Sequence, residues 1–91
     1  MDLAGHWIHA QEEDTGDELV WRPADYPLPR ARGRTELELR PDGTYVERFP
    51  GPDDRPAETA GRWSLDGDRL TLGDRVWTVA NAGPDRLTFR R

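Results

Sequence analysis

The sequence contains no cysteine, no lysine and no long hydrophobic run. Without cysteine the chain cannot form a disulfide, a thiolate zinc site or a thiol nucleophile, which fits a reducing compartment. The first residues have neither a basic start nor an apolar stretch, so we expect no signal peptide, no membrane span and a cytoplasmic location. The net charge of −5 opposes nucleic-acid binding, because a phosphate backbone favours a positive protein surface.

Chemical groups for covalent catalysis are also scarce. Ser64 is the only serine and lies inside a predicted strand instead of on a sharp turn. The chain has no glycine-rich phosphate loop and no dinucleotide fingerprint, so no cofactor is expected. Every basic residue is arginine, and alanine, glycine, proline and aspartate are abundant, a composition typical of a GC-rich bacterial genome.

The 91 residues are enough for one domain, spanning 1–91, with a single core. Only 34% of the residues are hydrophobic, which is low for a globular domain. Aromatic side chains each bury about 150–250 Å², so a few of them could build the core. These are Trp7, Trp21, Tyr26, Tyr45, Phe49, Trp63, Trp77 and Phe89.

Apolar residues recur at every second position in short runs between glycine, proline and aspartate clusters, which is typical of β-strands. This pattern predicts eight strands, at 3–11, 18–22, 35–39, 44–49, 59–65, 69–72, 76–80 and 87–90. Short turns such as Asp42-Gly43 favour antiparallel neighbours, whereas the proline-rich stretch 23–32 predicts a loop. An open sheet this small would leave two edges exposed. We therefore predict an all-β, up-and-down antiparallel meander that closes, or nearly closes, into a barrel.

Four segments carry a resemblance to a known family: LAGHW at 3–7, DGTY at 42–45, GRWSL at 61–65 and DRLTF at 85–89. Together they resemble the pattern of the lipocalin-like (calycin) β-barrels. The resemblance implies a barrel whose mouth holds small hydrophobic ligands, as most members of the family do. A minority of the family are enzymes.

Strand alternation sorts the two histidines. If Trp7 points inward, His9 shares its face while His6 faces the other way, so we do not expect them to share a metal ion. His9 is therefore a candidate for the barrel interior. It could line a pocket, or it could be a hydrogen-bonded histidine at a barrel end.

The same rule places Tyr45, Glu47 and Phe49 on one face of their strand, and 59, 61, 63 and 65 on one face of theirs. A buried carboxylate is costly unless it is paired or protonated. Glu47 could therefore pair with an arginine at the rim. Alternatively, it could line a pocket with His9, among aromatic residues that include Trp21 and Trp63.

Arg30, Arg32 and Arg34 occur at every second position, so in an extended segment their guanidinium groups could converge on a carboxylate or phosphate. They could equally balance the acidic segment 12–18. That segment lacks the ligand spacing of a calcium-binding EF-hand loop and is interpreted as a solvated acidic loop.

The leading hypothesis is a protein, monomeric or weakly dimeric, that binds a small organic molecule at an aromatic barrel mouth. An anionic group on this ligand could be held by Arg32 and Arg34. The full predicted site is His9, Trp21, Arg32, Arg34, Tyr45, Glu47 and Trp63.

Two alternatives stay open. One is a cofactor-free isomerase or cyclase that uses His9 with Glu47 or Glu13 for acid–base catalysis. The other is a protein-interaction module that uses the proline-rich loop and an exposed strand edge, without a pocket.

Overall fold

The computed structural model describes residues 3–29, 34–51 and 55–91. It contains eight strands and one 3₁₀ turn, Gln11–Glu13, and so confirms the all-β prediction. The strands are β1 (Gly5–His9), β2 (Glu18–Pro23), β3 (Glu36–Leu39), β4 (Thr44–Pro50), β5 (Pro56–Asp66), β6 (Arg69–Leu72), β7 (Arg75–Ala82) and β8 (Leu87–Arg90). No helix in the described ranges has the length and apolar character needed to cross a membrane.

The strands form a closed antiparallel barrel, as predicted. From β3 to β8 each strand pairs with the next in sequence. The order departs from a simple meander at one point, because β1 lies between β2 and β3 and the barrel closes through β2 and β8. β2 and β3 therefore run in the same direction, and the long proline-containing connection 24–35 joins opposite ends of the barrel, where a tight turn could not.

The core lies inside the barrel, and Trp7 belongs to it. Its side chain is 7% exposed, and the indole N–H donates a hydrogen bond of 3.1 Å to the carbonyl of Leu3. The prediction that Trp7 points inward is therefore confirmed. The buried cluster consists of Leu3, Trp7, Trp21, Leu37, Leu39, Tyr45, Leu70, Leu72, Val79, Leu87 and Phe89.

The first strand is shorter than predicted. It ends at His9, and the chain then turns at the buried Ala10 into the 3₁₀ segment that packs against β2. The prediction that the strand continues to Gln11 is wrong, because the carbonyl of Ala10 accepts from the N–H of Glu13 and the chain turns there.

Two strands, β2 and β5, change partners along their length, and we call them the corner strands. β2 pairs with β8 over 18–21 and with β1 over 21–23. β5 pairs with β4 over 56–62 and with β6 over 63–66. Such an exchange lets one closed sheet fold around a core. It also leaves part of each corner strand without a strand on one side.

At β2 the turn between β1 and β2 covers that gap. The carbonyl of Val20 accepts from the N–H of Ala10 at 2.9 Å, and the N–H of Val20 donates to Oδ1 of Asp14 at 2.7 Å. Thr15 bonds to Glu18 through its backbone N–H at 3.0 Å, and its hydroxyl accepts from the Glu18 N–H at 3.1 Å. The backbone of this half-strand is thereby satisfied, as buried backbone groups require.

Candidate functional site

An open cleft of about 430 Å³ lies at one mouth of the barrel, beside the turn between β6 and β7. Its main wall is the inner face of β4, where alternate residues point the same way. The side chains that line it are Thr35, Tyr45, Glu47, Phe49, Thr59, Asp74 and Arg75. The barrel mouth therefore holds aromatic surface next to charged groups.

An ion pair crosses this cleft. Nη2 of Arg75 lies 2.5 Å from Oε1 of Glu47, although two strands separate β7 from β4 in the sheet. Only 16% of the Glu47 side chain is exposed, against 43% for Arg75. The hydrogen bond to Glu47, with a smaller contribution from Tyr45, raises the pKa of the Arg75 guanidinium against the opposing effect of burial. Glu47 thus has the arginine partner that one sequence interpretation required, and it also lines the cleft.

Tyr45 forms the floor of the cleft, and two glycines make room for it. A Cβ atom at Gly61 would lie 3.0 Å from the Tyr45 ring, and one at Gly73 would lie 2.9 Å from its hydroxyl. Gly73 also has a φ of +62°, a conformation that residues with a side chain rarely adopt. The depth of the cleft therefore depends on these two glycines.

His9 lies next to the cleft but is not among the residues that line it. Its backbone N–H bonds to the carbonyl of Thr35, a lining residue, at 2.9 Å. Its Nε2 is 2.8 Å from Oδ2 of Asp14, and its ring centroid is 5.1 Å from that of Trp21. His9 therefore occupies the barrel end as a largely buried, hydrogen-bonded histidine.

His6 does not share a partner with His9: its Nε2 lies 2.8 Å from Oε1 of Glu36. Within residues 3–29, 34–51 and 55–91, no three histidine, aspartate or glutamate side chains are grouped so that they could hold a metal ion.

Two tryptophans of the predicted site pack into the core. Trp21 is 7% exposed and lies 5.9 Å from the Phe89 ring, and its buried indole nitrogen has no hydrogen-bond partner among the described residues. Trp63 packs against the core cluster and donates its indole N–H to the carbonyl of Arg40 at 2.8 Å. The aromatic surface of the cleft comes instead from Tyr45 and Phe49.

Arg34 binds the acidic segment and does not line the cleft. Its guanidinium donates two hydrogen bonds to the Glu12 carboxylate, at 2.8 and 2.6 Å, and one each to the carbonyls of His9 and Pro29. The hydrogen bond from Arg34 lowers the pKa of Glu12 to about 2. Arg34 thus balances the acidic segment, as one interpretation held. Arg30 and Arg32 lie outside the described residues.

Glu13, the third candidate catalytic residue, pairs with Arg22 through bonds of 2.8 and 2.5 Å. Glu13 is the last residue of the 3₁₀ turn, and its carboxylate therefore joins that turn to β2. The structure does not bring it to Glu47.

The predicted site lacked five of the residues that line the cleft: Thr35, Phe49, Thr59, Asp74 and Arg75. One signal for Arg75 was present, because alternation backward from Trp77 puts position 75 on the same face. The predicted strand began one residue too late, at 76, to include it. No protein-family model, curated protein or solved structure matches this chain.

Proposed function

We propose that this protein is a lipocalin-like binding protein that holds a small organic ligand in the barrel-mouth cleft. The observation that carries the proposal is a cleft of about 430 Å³ combining Tyr45 and Phe49 with the Glu47–Arg75 pair. Ligand pockets typically measure about 300–1,000 Å³ and combine apolar walls with a few polar groups that orient the ligand. The aromatic rings would supply burial, and the ion pair would fix orientation.

The charges of the cleft favour a neutral or cationic polar group on that ligand. Arg75 is committed to Glu47, while Asp74 has no ion-pair partner among the described residues. Two carboxylates therefore face one guanidinium. An anionic group would meet this excess of negative charge, and the donors of Arg34 are already occupied by Glu12 and backbone carbonyls.

A thermal-shift screen of neutral, cationic and anionic metabolites tests the proposal, followed by titration of each hit by NMR. We expect a hit to bind Phe49→Ala about tenfold more weakly or worse, because the aromatic wall is lost. Val76→Ala is the matched control, since Val76 is 59% exposed and lies on the outer face of β7. If no compound binds, or if both variants bind equally well, the proposal is wrong.

An enzyme acting by acid–base catalysis is the second candidate, favoured by the hydrogen bond between His9 and Asp14. A carboxylate that orients an imidazole is a common arrangement for a general base. On this alternative, a compound that binds should be converted over hours when followed by NMR. His9→Gln should stop the conversion without weakening binding, whereas a hit that the natural sequence leaves unchanged would contradict the alternative.

A further inference from the structure

One half of the corner strand β5 pairs on one side only, as far as the described ranges show. Alternate residues of an antiparallel strand direct their backbone groups to opposite sides. The N–H of Trp63 bonds to the carbonyl of Gly43, next to β4, while the carbonyl of Arg62 accepts from Gly73, at the end of β6. Odd positions therefore face β4. Glu58 and Ala60, at even positions, face the other way.

Nothing in the described part of the chain pairs with that side of Glu58 and Ala60. The bond from Gly73 to Arg62, at 3.0 Å, is the last on this side, because the chain turns at Gly73 and returns as β7. Glu58, Thr59 and Ala60 are all exposed. We define the free edge as the backbone N–H and C=O groups of Glu58 and Ala60. The space beside it lies in line with β6, beyond the turn at which β6 ends.

We propose that the free edge of β5 binds an extended, basic peptide segment of another protein as an additional antiparallel strand. Backbone donors and acceptors repeating at every second residue are matched by another extended backbone, the recognition mode known as β-augmentation. The segment would take the place that a longer β6 would have filled. This inference goes beyond the proposed ligand function and does not rest on it.

The charge around the free edge favours a basic partner. The Glu58 side chain is 58% exposed, although Arg48 touches it at 3.2 Å. Directly opposed residues of unlike charge stabilise an antiparallel pair, so a basic side chain fits opposite Glu58. Asp74, at the tip of the neighbouring turn, adds a second carboxylate where the segment would enter. The net charge of −5 attracts such a segment at longer range.

A second copy of this chain fits the free edge less well. A two-fold pairing centred on Glu58 would place two Glu58 carboxylates directly opposite each other, which is destabilising. A pairing centred on Thr59 or Ala60 would place a residue of the copy opposite Arg62, whose carbonyl already bonds to Gly73. A peptide that ends at this point avoids both conflicts.

Amide hydrogen exchange followed by NMR tests the proposal on the whole chain. The probe is the acetylated, amidated hexapeptide Thr-Val-Thr-Arg-Thr-Val, with glutamate replacing arginine in the control peptide. In the free protein we expect the amides of Glu58 and Ala60 to exchange quickly and those of Thr59 and Gly61 slowly. Millimolar probe should slow exchange at Glu58 and Ala60 at least tenfold, and the control peptide should do so less.

Substitution at Ala60 gives the matched pair of variants. Ala60→Pro removes the N–H on the free edge, where proline is tolerated, and Ala60→Val keeps it. We expect Ala60→Pro to weaken probe binding on the order of tenfold and Ala60→Val to leave it unchanged. If Ala60→Pro fails to fold, a probe methylated on alternate backbone nitrogens replaces it, and this probe should not bind.

Three results would overturn the proposal. One is the absence of protection at Glu58 and Ala60 with millimolar probe. Another is equal binding by Ala60→Pro and Ala60→Val, or by the methylated and unmethylated probes. The third is protection without peptide that rises with protein concentration as a dimer forms, which would identify a second copy as the occupant. The ligand proposal is tested with Phe49→Ala and the free-edge proposal with Ala60→Pro. Failure of one proposal is therefore distinguishable from failure of the other.

Discussion

The two corner strands make the same exchange of partners, yet among the described residues only one of them has its exposed half covered. At β2 the turn that follows β1 folds back, and Ala10 and Asp14 bond to both backbone groups of Val20. Before β5 the N–H of Gly51 donates instead to the carbonyl of Arg55, at 2.8 Å. We therefore expect the covered corner to contribute more to stability than the other corner. The cleft and the exposed backbone are found at the other.

The largest expected effect comes from uncovering β2. Asp14→Ala removes the acceptor for the Val20 N–H and the partner of His9, and leaves a buried donor unsatisfied. We expect the free energy of unfolding to fall by about 2–3 kcal/mol in urea titrations. The control, Asp25→Ala, changes an exposed loop residue and should stay within about 0.5 kcal/mol of the natural sequence. Equal losses in both variants would show that Asp14 does not hold this corner together.

An intermediate effect is expected where the β6–β7 turn meets the floor of the cleft. Gly67 and Gly73 both have a φ of +62°, but a Cβ atom would contact nothing at Gly67 and would lie 2.9 Å from the Tyr45 hydroxyl at Gly73. Gly67→Ala should cost about 1–2 kcal/mol for the backbone conformation alone. Gly73→Ala should cost about 1 kcal/mol more, because Tyr45 must shift. Thermal unfolding of the two variants measures the difference, and identical melting temperatures would contradict it.

The smallest effect is the acid sensitivity of the covered corner. The hydrogen bond from Arg34 lowers the pKa of Glu12 from 4.5 to about 2, and that from Arg22 lowers the pKa of Glu13. A carboxyl group whose pKa is lower in the folded state stabilises the fold above its unfolded pKa of 4.5, and this contribution is lost as the pH falls towards 2. Arg34→Gln should therefore lose less stability than the natural sequence between pH 6 and pH 3. Parallel urea curves at the two pH values test this, and equal acid losses would mean that the pair contributes nothing.

Much of the barrel could be predicted because its strands alternate and its later connections are short. Alternation works within one strand, so Tyr45, Glu47 and Phe49 were correctly grouped on one face. Contacts between distant strands depend on the stagger of the closed sheet, which periodicity does not report. The pairing of Glu47 with Arg75 and the position of β1 between β2 and β3 were therefore beyond the sequence.

Barrel closure through β2 and β8 has a consequence for folding kinetics. Leu19 and Phe89 are neighbours in the sheet although they are 70 residues apart in the chain (89 − 19). The strands from β3 to β8 can nucleate through local hairpins, whereas the β1–β2 hairpin must dock against both β3 and β8 at once. Loop-closure entropy opposes such distant contacts until they form, so we expect this docking to be the slow step in forming the native state.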